Sequence, residues 1–250
     1  MYWAPPDTGV AIAQATNDGM AERAGAYPDH FLPLATLPMQ APDRATCERE
    51  RAIGLGLRGT GLCTHVNGTD LDDPRFVSVL TCAERLDVRV FRHPQNAGDL
   101  IRLRDYHLWN LIGRSMETAT AAARLILSGV FVRHPNLKIV LAHGGGFLPY
   151  QLGRRDHGYR VGPALCEHLP HPPSCYLANI TCDARVHDTT ALRFLLDCVG
   201  ADHVVLGSDD PFDMGQADPA DPIRAPGLPR AQKAAILGGT LERLSRLTPR

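Results

Sequence analysis

The sequence contains no C-x-x-C pair, and its seven cysteines (Cys47, Cys63, Cys82, Cys166, Cys175, Cys182 and Cys198) are an odd number. This excludes a fully paired disulfide framework and a thiolate zinc knuckle, and predicts reduced, mostly packed thiols. Net charge is also lacking: 26 basic against 27 acidic residues leave -1, too little to draw the chain onto a phosphate backbone or an anionic bilayer. No window approaches the roughly 18 uninterrupted apolar residues of a membrane span, and no charged start precedes an apolar stretch at the N-terminus. The expectation is a cytoplasmic protein that binds neither nucleic acid nor membrane. Lysine occurs only as Lys138 and Lys233. Neither is placed to bridge two metal ions as a carboxylated lysine, so any metal chemistry is expected to use a single ion.

What is present is enough apolar residue (44% of 250) for a sizeable core. Short β-rich runs alternate with helical segments, the pattern of βα units with a parallel sheet. Six runs are predicted: Phe31 to Met39, Leu57 to Val66, Val88 to His93, Lys138 to His143, Cys175 to Asp183 and Val204 to Asp209. Helices are expected over Val10 to Ala26, Arg44 to Ile53, from Asp73 onward, Leu111 to Val132, Leu152 to Tyr159, Thr190 to Val199 and Pro229 to Leu247. The Pro-rich stretches at 168–174 and 218–229 are loop-length, so residues 1–250 read as one domain. The architecture is either an open doubly wound sheet or a (β/α)8 barrel of which two strands are not visible.

In parallel α/β folds the chemistry lies just beyond the C-terminal ends of the strands. Those positions hold His93, His143, Asp183, Asp209, and Thr64 with His65. Imidazoles and carboxylates converging from separate strands are the donors a catalytic divalent metal requires. A lone strand-end histidine is more often structural, and His65 reads as a cap on the Asn-Gly turn that follows it. His30, His107, His134, His168, His171, His187 and His203 read as solvated, as do Asp210, Asp213, Asp218 and Asp221 in the loop after Asp209. Gly54, Gly56 and Gly59 spell G-x-G-x-x-G but lie between a helix and a following strand. That order is the reverse of the one that aims amides at a pyrophosphate, so no nucleotide or organic cofactor is expected. Ser208 lacks the glycine two places on that a nucleophile elbow carries.

HPNLKIVLAHGGGFLPYQLGRRDHGYR (134–160) and VVLGSDDPFDMG (204–215), with THVNGTDLDDPRF, VFRHPQN and METATAAARLILSGVF in the same order, resemble the amidohydrolase-related family, in its aminocarboxymuconate-semialdehyde decarboxylase branch. The resemblance spans nearly the whole chain. It implies a metal-dependent hydrolase-type (β/α)8 TIM barrel holding one divalent metal, most often Zn2+, with Mn2+ or Fe2+ as alternatives. The activity implied is removal of CO2 from an unsaturated or aromatic carboxylate. His93 matches a metal ligand, Asp209 a ligand that also takes part in catalysis, and His143 the acid–base histidine. Arg154 matches an arginine that reaches the carboxylate of a small-molecule substrate across a homodimer interface. Trp109 matches a pocket-lining tryptophan, with core packing as its alternative. The family's H-x-H pair, two further ligands, is found nowhere in this sequence. The expectation is therefore a barrel lacking its first two βα units. Two further readings stay open at this point: a hydrolase of an amide, ester or lactone on the same barrel, and a chain inactive for want of those ligands.

Overall fold

A computed structural model of the chain describes residues 1–95, 101–162, 164, 167–225 and 227–245. Its centre is a parallel sheet of β1 (Gly59–Cys63), β4 (Arg89–His93), β5 (Lys138–Leu141), β6 (Ile180–Asp183) and β7 (Val204–Val205), paired in that order. β2 (His65–Val66) and β3 (Thr69–Asp70) form a small antiparallel hairpin after β1. The central strands are buried on both sides and read accordingly: Ile139, Val140 and Leu141 are all buried, as are Ile180 and Cys182. Each parallel step in the main sheet is crossed by helical structure, which supplies the long connection that parallel pairing needs.

Helices α1 (Pro6–Ala26) and α2 (Pro42–Gly54) precede the sheet, and α3 (Val77–Arg85) links β1 to β4. α4 (Ser115–Leu127) and α5 (Val130–Arg133) precede β5, α6 (Leu152–Val161) follows it, and α7 (Thr189–Val199) precedes β7. α7 begins where Asp188 accepts from the amide of Ala191, an N-cap that the Asp-Thr-Thr sequence provides. Leu192, Leu195 and Leu196 then recur at helical spacing and bury one face of α7. No helix among the described residues is long and apolar enough to cross a membrane. The six described cysteines are unpaired, but only Cys82 and Cys182 are buried, so the expected packing holds for two of them; Cys166 lies outside the described residues.

Predicted elements differ in detail: the sixth run shrinks to Val204–Val205, and the helix expected over Pro229 to Leu247 is interrupted by a π-helical turn at Ala235–Gly239, with residues 246 and 247 outside the described residues. The run Phe31 to Met39 makes a single parallel bridge, Ala35 to Thr60, in place of a ladder. Pro33 and Pro38 have no N–H to give, so pairing shrinks to the bonds around Ala35. The backbone of Thr36 is satisfied instead by the buried Asn17 of α1, which bonds both its N–H and its C=O. The first half of Cys175 to Asp183 is 3₁₀ turn up to Asn179, leaving a four-residue strand. The long helix expected over Leu111 to Val132 opens with a π-helical turn, Trp109–Arg114, and breaks at Gly129, whose φ of 72° ends α4.

Candidate active site

The sheet register sets Cys63 beside His93, Arg92 beside Leu141, Leu141 beside Cys182 and Asp183 beside Val205. The residues that follow each strand therefore emerge at one edge. There His93, His143 and Asp209 offer ligand atoms that all lie within 4.8 Å of one another. His93 Nε2 is 3.2 Å from Asp209 Oδ1, and His143 Nε2 is 3.6 Å from Asp209 Oδ2. The two imidazoles meet edge to face with centroids 5.0 Å apart, and Phe212 stacks on His93.

His143 and Asp209 both have φ of 58°, the left-handed region that side chains other than glycine rarely enter. Glycines make the turn after His143. At Gly146 (φ 61°, ψ -126°) a Cβ would lie 2.1 Å from the carbonyl oxygen of Ser115, so only a bare backbone fits against α4. Asp183 fastens this turn from the next strand. Its Oδ1 accepts from the amide of Gly144 at 2.8 Å and of Arg185 at 3.1 Å. Burial raises the Asp183 pKa to about 6 against the pull of these donors.

Burial also lowers the His93 pKa, opposed by the bond to Asp209. For His143, burial and then the neighbouring His93 push the pKa down to about 4. Both rings are therefore neutral near pH 7, the form in which an imidazole binds metal. A neutral imidazole and a carboxylate, His93 and Asp209, are borderline-hard donors that fit one divalent cation, with the second neutral imidazole, His143, beside them. The buried Nδ1 of His143 has no hydrogen-bond partner among the described residues. Arg185, with a side chain only 2% exposed, donates from Nη1 to Asp209 Oδ2 at 2.8 Å and from Nε to the Ser208 carbonyl. It fixes the carboxylate and balances its charge.

These groups line a cavity of about 390 Å³ together with Trp109, Asn110, Arg114, His187 and Met214. Of the residues expected at the site, the fold gathers His93, His143, Asp209 and Trp109. Arg154 is exposed on α6 and lines a separate groove with Leu127, Arg155 and His157. His65 is a turn cap as expected, its Nδ1 accepting from the amide of Gly68. Asp210, Asp213, Asp218 and Asp221 are exposed, as expected of a solvated loop.

Two histidines expected to be solvated are not: His134 is buried and bonded to Glu84 of α3, and His203 is half-buried with its Nδ1 2.9 Å from the Ile180 carbonyl, whereas His187 is exposed as expected, at the cavity wall. Sequence reasoning also missed Arg185 and Arg114. Arg185 stands two residues past the end of β6, so the strand-end rule, applied to the next turn as well, would have found it. Arg114 follows a loop and carries no such positional signal.

Residues 3–247 match the family described as Amidohydrolase. The 2-amino-3-carboxymuconate-6-semialdehyde decarboxylase of Dictyostelium discoideum is 38% identical over 241 residues, 95% of this chain and 67% of its own length. The crystal structure of 5-carboxyvanillate decarboxylase from Sphingomonas paucimobilis is similar with a TM-score of 0.90 at 34% identity, over 98% of this chain and 75% of that one. A dihydroxybenzoic acid decarboxylase from Polaromonas sp. JS666, solved with manganese and the inhibitor 2-nitroresorcinol, also gives 0.90, at 27% identity over 99% of this chain and 79% of that one.

Proposed function

The chain belongs to the amidohydrolase family and has its (β/α)8-barrel type of α/β fold, and on that premise we propose that it is a metal-dependent carboxy-lyase acting on an aromatic or unsaturated carboxylic acid. The observation that carries this reading is the convergence of His93, His143 and Asp209 at one edge of the sheet. His93 and Asp209 are assigned as ligands of one divalent cation, with Zn2+ first and Mn2+ or Fe2+ as alternatives. Such a cation, when bound, supplies Lewis acidity to oxygens in the cavity.

The rest is work for the chain's own side chains. Loss of CO2 breaks the bond between a carbon and its carboxylate and leaves the electron pair on that carbon, which must take up a proton. His143 is assigned that transfer. Its Nε2 lies beside Asp209 Oδ2, and an imidazole held near pKa 4 gives up an acquired proton readily. Arg185 holds Asp209 in place, and Trp109 forms a wall for a planar substrate. Arg154, lying outside this cavity, is assigned to the cavity of a second copy in a homodimer. Exposed Phe147, Tyr150 and Phe194 near α6 support such an interface. The unpaired cysteines support a cytoplasmic setting.

The test is to incubate zinc- or manganese-loaded protein with a panel of aromatic and unsaturated acids, beside ester, amide and lactone controls, and to measure CO2 and product. Release of CO2 with a C–H product supports the assignment. Hydrolysis of the controls without CO2 release would assign the site to the hydrolases instead.

A further inference from the structure

The cavity contains two guanidinium groups, and they are not equivalent. That of Arg185 is committed: buried, bonded to Asp209 and to the Ser208 carbonyl, it neutralises the half-buried Asp209 carboxylate of the cavity wall. Arg114 differs in each respect. It is half-buried at the junction of the π-helical turn with α4, and it lines both this cavity and the adjoining one that shares His93 and Phe212. Its Nη1 donates to the Pro94 carbonyl and its carbon end lies 5.1 Å from the ring centroid of Trp109, so the plane of the fork is fixed from two directions. Among the described residues no carboxylate pairs with it. The other acid on the cavity wall, Asp213, is a largely solvated group at the mouth, 3.9 Å from His107. The cavity thus carries a held cationic fork whose remaining donors meet no acceptor among the described residues. A planar fork held in this way suits bidentate binding of a carboxylate, and it loses little freedom on doing so.

We propose that Arg114 is a specificity-determining residue: from within the same chain it binds the anionic group of the substrate, so that the cavity selects an aromatic acid over the same ring without its carboxylate. This rests on the reading of the site as one for aromatic or unsaturated acids, and it is separate from the role assigned to Arg154 on a second copy. Bound against this fork, the ring of the acid lies beside Trp109 and its carboxylate is directed toward the end of the cavity where His143 and Asp209 stand.

The experiment compares binding of 2,6-dihydroxybenzoate and resorcinol, which differ by the carboxylate alone, to the zinc-loaded full chain by calorimetry, with CO2 release followed in parallel. Wild type is expected to prefer the acid by about tenfold or more, the worth of a charge-assisted bidentate contact. Arg114→Met should reduce that preference by about tenfold while leaving resorcinol affinity unchanged, and Arg114→Lys should restore part of it; in turnover, KM should rise more than kcat falls. A merely structural role would weaken both ligands together. Preference for the acid retained in Arg114→Met, or no preference in wild type, would overturn the proposal. An Arg114-dependent preference without any CO2 release would leave this proposal standing and sink the carboxy-lyase reading. If Arg114→Met does not fold, mass mapping of phenylglyoxal adducts on wild type decides: the acid must protect Arg114 where resorcinol does not, and equal labelling overturns the assignment.

Discussion

Replacing His143 by asparagine should flatten the acid limb of the stability profile of the metal-free protein. An imidazole in the unfolded chain titrates near 6.5, whereas burial and the neighbouring His93 hold His143 in the fold at about 4. The folded value is the depressed one, so the stabilisation is complete above pH 6.5 and is lost as pH falls toward 4, because the unfolded chain takes up a proton that the folded chain refuses. The side chain is 13% exposed, which leaves little solvent screening. Each pH unit in that window is worth about 1.4 kcal/mol per proton, giving about 3 kcal/mol in all and about 2 kcal/mol by pH 5. Asparagine is the suitable replacement because it tolerates the left-handed backbone at this position (φ 58°) and does not titrate. Guanidinium unfolding followed by circular dichroism at pH 7 and pH 5, with chelator present, gives the two free energies. The wild type should lose about 2 kcal/mol more than the variant over that step. Parallel losses in both proteins would refute the assignment of a depressed pKa to His143.

Gly146→Ala should be severely destabilising, by roughly 3 kcal/mol or more, since its Cβ would meet a backbone oxygen at 2.1 Å on a backbone only glycine enters freely; a melting temperature within a degree or two of wild type would contradict this. Asp209→Asn should cost about 3 kcal/mol in the metal-free protein by leaving the buried Arg185 without its counter-charge, measured by denaturant midpoint, and the double variant Asp209→Asn with Arg185→Met should recover part of that loss. His65→Ala should cost only about 1 kcal/mol, the worth of one turn cap, and leave CO2 release unchanged; a large loss of activity would show that His65 does more than close its turn.

The expected strand stands where the hydrophobic run is uninterrupted, as over Ile139 to Leu141 in β5, because a strand buried on both faces declares itself in composition alone. The first run misleads because its apolar residues are spaced by Pro33 and Pro38, which keep the segment extended but remove the donors of a ladder. The break at Gly129 is invisible to periodicity, since apolar residues continue on both sides of it and only the local φ marks the end of α4.

At the site, His93, His143 and Asp209 were legible because strand ends in a parallel sheet must converge, whatever the loops do. Arg185 and Arg114 were not, because an arginine in a turn reads as solvated until the fold shows what surrounds it. His134 was misread for the same reason: its partner Glu84 is 50 positions away in the chain.

The central claim is that His93 and Asp209 hold one divalent cation beside His143. Its most direct test is equilibrium dialysis of the purified chain against micromolar Zn2+, with bound metal counted by elemental analysis in wild type, His93→Ala, Asp209→Ala and His143→Ala. The account predicts one ion per chain in wild type, retained in His143→Ala and lost in the other two. Wild type without bound metal, or full occupancy surviving in His93→Ala and Asp209→Ala, would contradict it.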